Sequence, residues 1–181
     1  MMEAQISPAS ASVRHPFEAL DTALVGSLLR PKLEAAYGCW ERSGSTAHNA
    51  EEWYRILVAA IQKEATSLDD MVVLSAFALT DQVTMLTPDA QEALGGEWMR
   101  EVLERCRDTL SQEGLATPEA ANLYFQGLRH YFRDHRGLRG RQVMYPIRAA
   151  LTGTMIGPCL GIIGSLLGPE RCRRRLEDRL L

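Results

Sequence analysis

No pair of cysteines or histidines in this sequence stands at a spacing that binds metal. Cys39, Cys106, Cys159 and Cys172 are scattered along 181 residues, and His15, His48, His130 and His135 form no His-x-x-x-His pattern. A zinc module and a disulfide-stapled scaffold are thereby excluded, and reduced thiols in the cytoplasm are expected. The N-terminus lacks a charged segment followed by an apolar one, so no secretion signal is read there. Leu151 to Leu167 is apolar and is followed by Arg171-Cys172-Arg173-Arg174-Arg175, but it spans seventeen residues and contains Pro158 and several glycines. A membrane span needs ~20 apolar residues, so no membrane partner is expected.

The motifs of nucleotide chemistry are missing too. There is no Walker loop, no Gly-x-Gly-x-x-Gly after a strand and no Gly-x-Ser-x-Gly. No paired carboxylates sit in a plausible cleft, and no stretch alternates convincingly as a strand would, although Met71-Val72-Val73-Leu74 is ambiguous. These absences point away from an enzyme and from any bound cofactor.

The composition that remains is that of an ordinary globular protein, 46% apolar and 24% charged. Its length suits one domain or two small ones. The net charge of −3 conceals an asymmetry. Leu128 to Leu181 carries eleven arginines against four acids, about +7, and residues 1–127 carry nine bases against nineteen acids, about −10. That is the footprint of a basic face for phosphates beside an acidic support. Arg171 to Arg179 also suits the negative end of a helix dipole.

Helical patterning runs through the chain. Residues 1–14 read as a disordered tail, rich in Ser and Ala near its end. Phe17, Leu20, Leu24, Val25 and Leu28 form a stripe that Arg30-Pro31 should break or restart, with Gly38 as the stop. Ser43 to Thr46 reads as a loop. Asn49 and Ser67, each followed three residues on by an acid, are capping signals. Thr87-Pro88-Asp89 and Thr117-Pro118-Glu119 each read as cap, proline, acid. Trp98, Val102, Cys106 and Leu110 make one stripe at spacings of four. The expected fold is all-α, with residues 15–115 as a first helical bundle and 116–181 as a second. Asn122 to Gly127 matches most of a tag-cleavage sequence, and coincidence and insertion are both open.

The C-terminal segment carries the most information. Pro146 suits the first turn of a helix, and Gly153 suits its end. Gly157-Pro158 marks a turn into a helix from Cys159 to Leu167, and Gly168-Pro169-Glu170 stops that one and starts another. Such turns leave backbone N–H groups for an anion or a base edge, with Arg148 one turn before Gly153. The same glycines also suit close helix packing, with Arg148 reaching to solvent. The residues leave both readings open.

The ordered anchors Gly137-Leu138-x-Gly140, Pro146-Ile147-Arg148-x-Ala150-Leu151-Thr152-Gly153, Gly157-Pro158-x-Leu160, Leu167-Gly168 and Arg175-Leu176-Glu177 resemble the C-terminal, anticodon-binding end of bacterial glutamyl-tRNA synthetases. A looser similarity extends back to about Leu29. The resemblance implies two consecutive small helical bundles that bind tRNA. By that resemblance Arg148 contacts the anticodon, and Gly157, Pro158 and Leu160 pack on its bases. Arg136, Arg139 and Arg141 would contact phosphates, which position without specifying. Cys159 stands where the family often has an acid, Thr154-Met155-Ile156 is unusually apolar, and Gly161 and Gly164 are expected to loosen the following helix. The synthetase's His-x-Gly-His-type turn and Lys-Met-Ser-Lys-Ser-type loop are absent. The implied protein is therefore a non-catalytic accessory or regulatory binder of tRNA, in the first place tRNA for glutamate. The alternative is a protein-interaction module that kept the fold and binds a synthetase or another enzyme. Whether the chain is a separate product or an excised fragment is open on sequence alone.

Overall fold

The computed structural model describes residues 17–40 and 49–181. The expected tail over 1–14, the loop over 43–46, His15 and His48 lie outside the described residues. Within them the chain forms eight α-helices, one short 3-10 turn at Glu113–Leu115 and no strand. The helices are α1 Thr22–Tyr37, α2 Ala50–Ile61, α3 Leu68–Leu79, α4 Pro88–Leu94, α5 Met99–Thr109, α6 Pro118–Arg136, α7 Gly140–Thr152 and α8 Leu160–Glu177. The Met71–Leu74 run lies in α3.

The capping signals set the helix starts. Side chains of Asn49, Ser67, Thr87 and Thr117 each accept a hydrogen bond from the backbone N–H three residues on. Each satisfies a donor that the first helical turn would leave unpaired. Prolines 88 and 118 sit at first-turn positions, where a missing N–H costs nothing.

Two prolines behave otherwise. Pro31 does not break α1, which runs unbroken through it to Gly38 at φ 71°. The proline is exposed, while Val25, Leu29 and Leu33 on the other side are completely buried. Their burial, worth roughly 1.5–3 kcal/mol per side chain, outweighs one lost helical hydrogen bond. The buried face is thus not the expected stripe, since Leu20, Leu24 and Leu28 remain 43–53% exposed. Pro146 likewise lies inside α7, which begins at Gly140 rather than at the proline. There the Gln142 side-chain oxygen accepts from the Arg139 N–H at 2.8 Å, and Val143, Ile147, Ala150 and Leu151 give the helix a buried face.

Helix α8 is the centre of the molecule, packed against α2, α3, α5, α6 and α7. It bends at Gly168, whose φ of 70° and ψ of 169° are not helical, as expected for Gly168-Pro169. Trp53 of α2 is buried and donates its indole N–H to the Leu166 carbonyl at 2.9 Å. Gly161 and Gly164 do not loosen the helix. A Cβ at Gly161 would lie 2.6 Å from the Pro118 carbonyl oxygen, and one at Gly164 would lie 2.9 Å from the Phe125 ring. Both glycines let α6 approach closely. Asn122 to Gly127 lies within α6, where Phe125 is buried and the Tyr124 hydroxyl donates to the Cys106 carbonyl at 2.7 Å. Phe125 of the hexapeptide thus belongs to the core, while Asn122, Leu123 and Gly127 are exposed.

The C-terminal arginines are also structural. Arg171 is 7% and Arg175 1% exposed. Arg171 donates to the carbonyls of Ala78 and Thr80 at 2.9 and 2.6 Å. Arg175 donates to Thr80, Asp81 and Leu151 carbonyls, and Arg179 donates to Val83. Much of the basic excess therefore faces inward, tying the segment after α3 to α8. The expected phosphate face is correspondingly smaller. Sequence gives the charge of an arginine but not its partner.

Candidate nucleic-acid interface

Helix α7 and the turn after it carry most of the residues singled out above. Gly137, at φ 67°, caps α6 by donating its N–H to Arg133 O, and α7 starts three residues later at Gly140. Gly153, at φ 75°, ends α7. A side chain at Gly153 would meet the Met85 carbonyl at 2.3 Å, and the Gly153 carbonyl accepts from the Thr87 N–H at 2.9 Å. The turn is thus pinned to the segment before α4.

Beyond it, Thr152 Oγ1 donates within the turn, and the Ile156 N–H donates to Thr154 Oγ1 at 3.2 Å. Gly157 holds φ 115°, a conformation that favours glycine, and Cys159 opens α8 without a side-chain cap. The first N–H groups of α8 therefore have no side-chain acceptor at the helix N-cap. An anion or base edge suits them.

Arg148 joins these parts. Its guanidinium donates to the Pro158 carbonyl at 2.8 Å and to the Gly157 carbonyl at 3.4 Å. Burial holds its pKa below the usual arginine value, yet a guanidinium remains charged at neutral pH. Arg148, Gly157, Pro158 and Leu160 are thus brought together, with Arg148 bracing the turn rather than extending into solvent. The planar fork explains why arginine serves here, because one group reaches two carbonyls.

The flanking arginines differ from one another. Arg136 pairs with Glu101 at 2.8 Å, linking α6 to α5. Arg139 and Arg141 are exposed on the first turn of α7, and among the described residues neither forms an ion pair. Arg141 lies 5.9 Å from the ring centre of Tyr145. Sequence reasoning passed over Arg129, Tyr145 and Gln126. They join Arg148, Cys159 and Leu160 around a groove of about 310 Å³ between α6, α7 and the start of α8. Helical spacing could have found Tyr145, since Arg141, Tyr145 and Arg148 follow one another at four and three residues. On the other side of α7 a second cleft, of about 560 Å³, lies against α4. A larger one between α1 and α2, about 850 Å³, touches none of these residues.

An all-α fold with this α7–turn–α8 arrangement defines a class. A profile described as anticodon binding domain matches residues 25–180, and the chain belongs to that family. The glutamate–tRNA ligase of Staphylococcus saprophyticus is 33% identical over 126 residues, which are 70% of this chain and 25% of the relative. A glutamate–tRNA ligase sequence from Staphylococcus xylosus is 34% identical over 121 residues, 67% of this chain and 97% of that relative. This chain thus spans about a quarter of the first relative and nearly all of the second. A crystal structure of a glutamate–tRNA ligase from Elizabethkingia meningosepticum superposes with a TM-score of 0.72 at 15% identity, over 91% of this chain and 30% of that one. The Elizabethkingia anophelis enzyme gives 0.66 at 16% identity, over 91% and 29%. At that identity the structures establish the fold alone. The family match falls on the anticodon-binding portion and not on a catalytic domain. Among the described residues no helix is long and apolar enough to cross a membrane, and no cluster of side chains could hold a metal.

Proposed function

We propose that the chain is a non-catalytic tRNA-binding protein that reads an anticodon loop with the outer face of α7 and the turn into α8. The observation that carries this reading is the Arg148 brace. It fixes the Gly157–Leu160 turn beside the open N-terminus of α8 and beside Tyr145. Single-stranded loop bases are recognised by such means, stacked on side chains and bonded to backbone edges. Arg139 and Arg141, joined by Arg129, would take the phosphates on either side. Arg136 would first have to leave Glu101, and exchanging an exposed ion pair costs only ~0–1 kcal/mol. The preferred ligand is tRNA for glutamate, because the relatives are glutamate–tRNA ligases. In this reading the protein acts in the cytoplasm as an accessory or regulatory factor.

A second reading is favoured by Ile156, which stands 70% exposed at the tip of the turn. An apolar tip suits a protein partner, such as a synthetase or another enzyme.

Salt separates the two. Phosphate contacts release counterions, so affinity falls steeply as salt rises, whereas an apolar interface responds little. We expect tRNA to bind at low salt, to weaken with a clear salt slope, and to lose at least ~1 kcal/mol on Arg148→Ala. Absence of binding at low salt contradicts the RNA reading.

A further inference from the structure

Arg148 also borders the second cleft, on the opposite side of α7 from the groove described above. Its walls differ in charge. Asp89, Glu92 and Glu97, on α4 and the turn after it, form one side, Arg141 and Tyr145 of α7 form the other, and Trp98 contributes to the lining. Among the described residues none of these three carboxylates forms an ion pair, and neither does Arg141 across the cleft. The opposite charges stand apart with an open space of about 560 Å³ between them. Ligand pockets fall in the range of ~300–1,000 Å³.

A nucleotide has matching parts. Its phosphate pairs with an arginine, its base presents a flat face to aromatic rings, and cytosine, adenine and guanine carry amino donors on the base edge. Carboxylates accept from such donors and repel phosphate, so the α4 wall can take only the base end. Uracil offers no amino group.

The geometry points to the α4/α7 cleft as a subsite for one unstacked, amino-bearing nucleotide of the bound RNA, its base edge on Glu92 and Glu97 and its phosphate beside Arg141. This rests on the proposal that the chain binds RNA loops.

The test uses the full chain and two RNA hairpins with the same stem, one with a loop of cytidines and one with a loop of uridines. The wild type is expected to bind the cytidine loop ~5-fold or more tightly, as one good base contact allows. The variant carrying Glu92→Gln and Glu97→Gln should lose that preference by weakening on cytidine, with uridine binding unchanged or stronger. Both glutamates are exposed, so the variant is expected to fold. If the carboxylates merely repel phosphate, the variant binds both loops more tightly and keeps their ratio, which overturns the subsite. Equal binding of the two loops by the wild type overturns it as well, while leaving RNA binding intact. Binding of neither loop at low salt removes the RNA reading and the subsite together.

Discussion

Arg148 and Arg175 are both arginines at the heart of the C-terminal region, yet their surroundings assign them different tasks. Arg175 is 1% exposed and donates inward to three carbonyls from two distant segments. Arg148 is half-buried, braces one turn, and keeps an edge on two clefts. Cysteines divide in the same way. Burial pushes the thiols of Cys106 and Cys172 up to about 12, from an ordinary value of 9.0, whereas Cys159 is exposed at the start of α8. A water-soluble alkylating reagent near neutral pH should therefore modify Cys159 rapidly and leave Cys106 and Cys172 untouched until the chain unfolds. Mass spectrometry of the labelled peptides checks this, and early labelling of Cys172 would contradict the packing described. The sign for stability follows. The unfolded chain releases these two thiol protons more readily, so their contribution is intact below about pH 9 and falls as pH rises toward about 12.

At the scale of elements, the contact between α6 and α8 depends on missing side chains. Gly161 lies too close to the α6 backbone to admit a Cβ, whereas Gly127 of α6 is exposed with nothing near it. The same substitution should thus act with opposite signs. Gly161→Ala is predicted to destabilise by ~1–3 kcal/mol through overpacking, and Gly127→Ala to stabilise by ~0.5–1 kcal/mol through helix propensity. Thermal unfolding measures both, and equal shifts would refute the close approach. Element starts were largely legible in the sequence, because a Thr-Pro-acid or Ser-x-x-Asp signal acts within one turn. Pro31 and Pro146 were not, because tertiary burial decides whether a proline ends a helix, on the face opposite Pro31 and on the face that includes Pro146 itself. The turn motif at Gly157-Pro158 was legible as a turn. Its brace by Arg148 was not, since spacing does not say which carbonyl a guanidinium will meet.

Across the whole molecule, one buried cluster runs from Val25 of α1 to Leu176 of α8. We propose that the division expected between 15–115 and 116–181 falls at the 3-10 turn leading into α6. The buried cluster crosses that point without a break. The inward-facing arginines change the electrostatic picture at this scale. The nominal excess of about +7 over the C-terminal third is reduced at the surface, with Arg129 and Arg148 on the groove side of α7, Arg148 and Arg141 on the cleft side, and Arg139 exposed at its start. The acidic wall of α4 faces Arg141 across the cleft. In the proposed reading, a phosphate backbone would follow these arginines past the Gly157–Leu160 turn. An anticodon loop placed there would leave the acceptor arm of the tRNA away from the contact.

The most direct measurement is chemical probing of tRNA for glutamate with and without the protein. Protection is expected to be confined to the anticodon loop and to be lost with Arg148→Ala while the variant retains its helical content. Protection of the acceptor arm, or no protection at low salt, would contradict it.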